Sequence, residues 1–169
     1  MPVGADPIEV YLMKTLLAEF SAVSVASGYF TDPRTVSQPG FMPDDLKAIS
    51  AAAQDGPAIL LWADSQHEYE GELGIARDRV ALRVLIVGAF KRASNQSPAI
   101  QSLAVDVRRV LRNNVRRKFP GTSTEIAINT VSAGSPAFDY LYFPVDQSTT
   151  VGMFFSTWDI VYDFPNATG

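Results

Sequence analysis

The residue types that could carry out chemistry lie mainly in the segment 64–78. His67 is the only histidine of the chain, and Ser65 and Glu68 lie close to it in sequence. A hydrolytic triad needs a histidine base that a carboxylate orients, and its serine often stands on a strained Gly-x-Ser-x-Gly turn. The chain contains no such turn, so the pattern favours an exposed loop histidine over a catalytic one.

The same segment is rich in carboxylates, which are ligands that Ca²⁺ prefers. Their spacing does not match a calcium loop with its central glycine and terminal bidentate glutamate. We interpret the segment as the outer part of a long hairpin, whose charges disfavour pairing of the sheet edge with other chains. The chain also lacks both glycine-rich phosphate-binding motifs. The carboxylates are Asp64, Glu68, Glu70, Glu72 and Asp78.

The sharpest charge asymmetry is a run of basic residues near the end of a predicted helix. Such residues complement the helix dipole, and they equally suit contact with an acidic surface on another copy or another protein. Phosphate binding is disfavoured because the formal net charge of the chain is -4. The basic residues are Arg108, Arg109, Arg112, Arg116, Arg117 and Lys118.

Two stretches, 28–43 and 134–150, are rich in glycine, proline and serine, and they are predicted to be long loops. Both carry aromatic residues of the kind that anchor protein interfaces. These aromatics are Tyr29, Phe30, Phe41, Phe138, Tyr140, Tyr142 and Phe143.

The chain has 169 residues, of which 47% are hydrophobic and 19% are charged, and this composition is typical of one globular domain. The absence of cysteine excludes a disulfide, a thiolate nucleophile and a cysteine metal site. We find no signal peptide and no apolar run of roughly 18 residues that would suggest a membrane span. We therefore predict a structural protein with no catalytic residue, no cofactor and no metal site.

Hydrophobic periodicity predicts the elements that position these residues. Three helices are expected, at Pro7–Phe20, at 42–53 and at Pro98–Arg117. The expected strands are a short one around Val23 and Val25, then Ala58–Trp62, Val80–Phe90, Glu125–Ala133 and Gly152–Asp163. Both faces of the strand Val80–Phe90 are largely apolar, with Arg83 as the exception, which indicates a central strand. The sum predicts a single α/β domain, with a mixed or mostly antiparallel sheet of four to five strands and helices on one face.

The order of these elements resembles the tail terminator (tail completion) proteins of long-tailed bacteriophages, including the lambdoid tail terminator. The features that match are the first helix, the hairpin of two strands, the amphipathic helix and the closing strand with its Trp-Asp-Ile-Val-Tyr pattern. They correspond to Pro7–Phe20, Ala58–Trp62, Val80–Phe90, Pro98–Arg117 and Gly152–Asp163.

The resemblance implies a virion protein of the tail neck, assembled in the cytoplasm of the host bacterium. Such proteins form a hexameric ring on the head-proximal end of the tail tube, which stops tube growth and offers a docking surface to the head. The implied partners are further copies of the chain, the tail tube protein and the head-tail connector protein. DNA passes through the channel without specific binding, and no membrane is involved.

In a ring, one patch of the subunit meets a different patch on the next copy. We expect Arg108, Arg109, Arg112 and Arg116 to meet Glu68, Glu70 and Glu72 of a neighbour or of the tube. The loop aromatics Phe138, Tyr140 and Tyr142 are expected to contact a partner.

The sequence leaves three other classes open. The first is another neck component, either a head-completion or a head-tail connector protein. The second is a small α/β enzyme or ligand-binding domain, with a pocket near Asp64 and His67. The third is a nucleic-acid-binding module, which would lose affinity steeply as salt rises.

Overall fold

The computed structural model describes residues 8–42, 44–68, 79–93, 98–113, 116–118, 125–129, 137–145 and 149–163. The helices are α1 (Ile8–Ser21), α2 (Leu46–Ala52) and α3 (Pro98–Asn113), with a short 3-10 turn at Val25–Ser27. The strands are β1 (Thr35–Ser37), β2 (Ala58–Glu68), β3 (Arg79–Ala93), β4 (Arg116–Lys118), β5 (Glu125–Asn129), β6 (Asp139–Pro144) and β7 (Thr149–Asp163).

The described strands form one seven-stranded sheet in the order β1-β2-β3-β7-β5-β4, and β6 also pairs with β7. The pair β1 and β2 is parallel, and the other pairs are antiparallel. This confirms the predicted α/β fold with a mixed, mostly antiparallel sheet. The strands β2, β3, β5 and β7 correspond to the four longer strands that the sequence predicts, whereas β1 and β4, of three residues each, and β6 are additional.

The sheet separates two apolar clusters. On one face, α1 and α3 bury residues such as Phe20 and Leu103 against Val84 and Ile86 of β3. The expectation that the helices cover one face is therefore confirmed for these two helices. It is wrong for α2, whose Ile49 packs on the opposite face. The cause is the alternation of side chains along a strand, which points Leu60 and Leu61 of β2 to opposite faces, so both need cover.

Several predicted boundaries are corrected. Helix α3 ends at Asn113, before the predicted Arg117, because residues 116–118 pair with β5 as β4. The predicted loops contain strands β1 and β6, whose backbones pair with β2 and β7. The short strand expected around Val23 is a 3-10 turn that Ser24 caps and Gly28 closes, with a φ of 83° that suits glycine.

Arg83, the polar exception in β3, lies directly opposite Asp159 of β7. Its Nε donates a hydrogen bond of 3.1 Å to Oδ1 of Asp159, whose side chain is fully buried. This hydrogen bond and the charge of the carboxylate raise the pKa of the Arg83 guanidinium above its usual value. The pair lets charged residues occupy the central strands, because each charge has a partner.

Gly88 of β3 is buried, and a Cβ placed there would overlap the ring of Phe154, which is itself fully buried. We expect Gly88→Ala to lower the free energy of unfolding by about 1–3 kcal/mol, because the core must shift to admit the methyl group. Urea denaturation followed by tryptophan fluorescence measures the change. Gly40→Ala is the matched control, since a Cβ there meets no atom within 4 Å. Equal stability of the two variants would contradict the close packing of Gly88 and Phe154.

Candidate functional site

The loop after the 3-10 turn is fastened to α3 by a buried carboxylate. Asp106 is fully buried in the middle of α3. Its Oδ2 accepts hydrogen bonds from the backbone N–H of Thr31 at 2.9 Å and from Oγ1 of Thr31 at 2.8 Å. Both of its oxygens lie within 3.1 Å of the Phe30 N–H. The carboxylate thereby satisfies backbone donors that the loop would otherwise bury without partners.

Arg109 holds the same loop from one turn further along α3. Its Nη1 donates a 2.8 Å hydrogen bond to the carbonyl oxygen of Gly28. Its guanidinium carbon lies 4.9 Å from the centre of the Tyr29 ring and 5.9 Å from that of Phe30. These distances allow cation–π attraction. Arg109 therefore stabilises its own subunit, a role that the sequence did not indicate.

Arg108 supports the other aromatic segment. Its guanidinium carbon lies 4.9 Å from the centre of the Phe138 ring, and that ring packs edge-on against Phe154 at 5.1 Å and Trp158 at 6.4 Å. The Nε of Arg108 is buried and has no hydrogen-bond partner among the described residues. Ser156 strengthens the attachment, because its Oγ donates a 3.0 Å hydrogen bond to the carbonyl oxygen of Ala137. The start of β6 is thus fixed against the sheet.

Strand β6 carries three consecutive large apolar side chains that are exposed in the described part of the chain. Tyr140, Leu141 and Tyr142 are 43%, 40% and 47% exposed. Partial burial raises the pKa of Tyr140 above its usual value, with a smaller contribution from Tyr142 and an opposing one from the Arg108 charge. These three side chains leave β6 with an apolar surface that the described residues cover only in part.

The other predicted site residues lie in several places. Arg112 is exposed in the last turn of α3, Arg116 begins β4, and Glu68 ends β2. Glu70, Glu72 and Asp78 lie outside the described residues. The structure therefore brings Arg108, Phe138 and Tyr140 together, whereas a contact between the arginines and the acidic hairpin stays a prediction.

Two open grooves accompany these surfaces. One, of about 500 Å³, lies between the loop around Phe30 and the first turn of α3, and its charged lining residues are Asp32, Arg34 and Asp55. Asp32 accepts a 2.7 Å hydrogen bond from the N–H of Val25, so it also stabilises the loop. The other groove, of about 250 Å³, lies between α1 and β2 and is mainly apolar.

Sequence reasoning missed Asp106, although a signal was present. In α3, Asp106 lies three residues after Leu103 and four before Val110, within the stripe of apolar residues that the helix buries. A carboxylate in a buried stripe requires hydrogen-bond donors from elsewhere in the fold. Its position was therefore a sign of long-range contacts, although the sequence did not identify the donors.

No protein-family model matches the chain, and no curated protein matches it. Among the helices of the described residues, none is long and apolar enough to cross a membrane.

We expect Asp106→Ala to lower the free energy of unfolding by about 3 kcal/mol, because it leaves buried N–H groups of the loop without an acceptor. The loop should also detach locally, so chymotrypsin should cut after Tyr29 and Phe30 under native conditions. Urea denaturation and timed proteolysis measure the two effects. Asp106→Asn, which keeps one acceptor oxygen, should fall between the wild type and Asp106→Ala. Wild-type protease resistance of Asp106→Ala would contradict the fastening role.

Proposed function

We propose that the chain is a structural subunit of a bacteriophage tail, a tail terminator that forms a hexameric ring on the head-proximal end of the tail tube. The ring stops tube polymerisation and presents a docking surface to the head-tail connector protein, while DNA passes through its channel without specific binding. The proposed location is the neck of the virion, after assembly in the cytoplasm of the host bacterium.

The observation that carries this proposal is the arrangement of α1, the β2–β3 hairpin, α3 and the closing strand β7 around one sheet. This is the element order on which the resemblance to tail terminators rests. The exposed aromatics of β6 also support an assembly role, because large exposed apolar groups mark surfaces that partners cover. Among the arginines of α3, Arg109 supports its own subunit, and Arg112 is exposed near the end of the helix.

The same features suit another neck component, a head-completion or head-tail connector protein. Such a protein shares the size and the ring symmetry of a tail terminator, but it binds the head side rather than the tube. The binding partner separates the two functions.

The decisive experiment is cryo-electron microscopy of the purified chain mixed with tail tubes from the same source. The proposal predicts a ring at one end of each tube, with tubes of uniform length. Tubes that continue to grow without a cap would overturn the terminator function. Binding to the head connector alone would favour the connector function.

Arg112→Glu should weaken each contact within the ring by about 1 kcal/mol, or about fivefold, if Arg112 faces an acidic patch of the next copy. The concentration of the chain that caps half of the tubes should rise, and a urea denaturation curve of each variant checks that it is folded. Lys47→Glu in α2 is the matched control, because it makes the same charge change on an exposed residue of the other sheet face. Equal capping by the Arg112 and Lys47 variants would contradict the interface role.

Arg109→Glu should destabilise the subunit itself, because Arg109 is bound to its own loop. We expect a lower urea midpoint and faster cleavage at Tyr29, both measured on the purified chain before any assembly. A normal midpoint together with lost capping would instead assign Arg109 to the interface.

A further inference from the structure

Two sheet edges of the subunit complement each other, and we propose that β6 of one copy pairs with the outer edge of β2 in the next copy. The tyrosines Tyr140 and Tyr142 would enter the groove between α1 and β2 of that neighbour. This inference rests on the proposed ring, and it identifies the surface through which the subunits join.

Both edges are open in the part of the chain that the structure describes. β1 pairs only with Ala58–Leu60 of β2. After β1 the chain turns toward the opposite face, where Trp62 Nε1 donates a 3.1 Å hydrogen bond to the carbonyl oxygen of Phe41. At Ala63 and from Ser65 to Glu68, the described pairing of β2 is with β3 alone, and a bulge separates Ala63 from Ser65. β6 has six residues, and its described pairing is with β7 alone.

The strand directions allow the two edges to pair. β2 is antiparallel to β3, β3 is antiparallel to β7, and β7 is antiparallel to β6. β6 therefore runs antiparallel to β2. A second copy that continues the sheet in the same orientation would place its β6 antiparallel to the open edge of β2. Two antiparallel strands join through N–H···O=C hydrogen bonds in both directions.

The side chains also lie on matching faces. Tyr142 lies beside Gly152, and a Cβ on Gly152 would contact both the Tyr142 ring and Ile100 of α3. Tyr140 packs edge-on against Phe154, which belongs to the cluster under α1 and α3. Both tyrosines are therefore on the helix-covered face, and the groove beside β2 is on this face as well because α1 forms one of its walls.

The groove has the chemistry that a tyrosine needs. Its apolar lining includes Val10, Met13, Leu17 and Ala63, and Val10 is 40% exposed. Its polar lining residues are Glu9, Lys14 and Gln38. A tyrosine suits such a groove, because its ring contacts the apolar lining while its hydroxyl reaches the polar residues.

These features indicate a second copy rather than another protein. The two edges differ from each other and belong to one chain, so each copy can offer β6 to one neighbour and β2 to the other. A contact of this head-to-tail kind closes into a ring when the rotation between copies is suitable.

Photo-crosslinking tests the pairing. Tyr142 is replaced by p-benzoylphenylalanine, which keeps an aromatic ring, and the labelled chain is mixed with unlabelled wild type grown in ¹⁵N medium. After irradiation, mass spectrometry should find adducts between light and heavy copies at residues 10–17 or 63–68. The control carries the same group at Phe30, which is 63% exposed but lies on the loop. The pairing would be overturned if the Tyr142 probe formed its light–heavy adducts at other residues, or formed no light–heavy adducts at all.

A charge in the groove provides an independent test. Val10→Asp should reduce the yield of light–heavy adducts about tenfold, because a carboxylate in an apolar contact loses its hydration. Val105→Asp in α3 is the matched control, since Val105 is 44% exposed on a helix surface and does not line the groove. Equal yields from the two variants would contradict the role of the groove.

The same probe on capped tubes separates this inference from the proposed function. Rings on tubes without adducts to residues 10–17 or 63–68 would refute the edge pairing and leave the terminator function in place. Those adducts from free copies that never cap a tube would support the pairing and refute the terminator function. Adducts to the tube protein instead of a second copy would show that β6 docks on the tube.

Discussion

The long antiparallel pair of β3 and β7 is the interaction on which the rest of the structure depends. The two strands have 15 residues each, and their register runs from Arg79 opposite Asp163 to Ala93 opposite Thr149 without a shift. Because both faces of the pair are apolar, each needs its own cover, and the positions of α1, α2 and α3 follow from that need. β2 adds to one side of the pair, and β5 and β6 share the other.

Helix α3 connects this core to the surfaces that a partner would meet. Its apolar stripe packs on the sheet, Asp106 and Arg109 hold the loop around Phe30, and Arg108 lies against the aromatic ring of Phe138. The loop and β6 are therefore positioned by neighbouring residues of one helix. The proposed assembly would therefore use a surface that is already organised, which reduces the entropy that association must overcome.

The sequence predicted those parts of the fold that have a continuous buried pattern. β3, β7 and α3 were identified because apolar residues recur along them with the period of a strand or a helix. β6 was interpreted as a loop because both of its faces are largely exposed, so no alternation marks it. The sequence predicts Arg116 and Arg117 as the end of α3 because they continue its run of basic residues, and only their pairing with β5 makes them part of a strand.

The candidate site shows the same limit. The sequence identified the residue types, arginines in α3 and aromatics between them and β7, but not which arginine contacts which ring. Those contacts depend on segments far apart in the chain, such as Arg109 with Gly28 and Arg108 with Phe138. The position of Asp106 within the buried stripe of α3 indicates that hydrogen-bond donors come from a distant segment, but the sequence does not show that they belong to Phe30 and Thr31.

The order of the strands has a consequence for how the chain acquires its fold during synthesis. β3 is completed early, but its partner β7 follows α3 and three further strands along the chain. Contacts between such distant segments form slowly, since the intervening chain must first close into a loop. A nascent chain that has reached only α3 therefore still exposes one full edge of β3, where unpaired backbone groups invite aggregation. Translation that pauses between α3 and β7 would prolong this exposure, whereas rapid completion of β7 would end it.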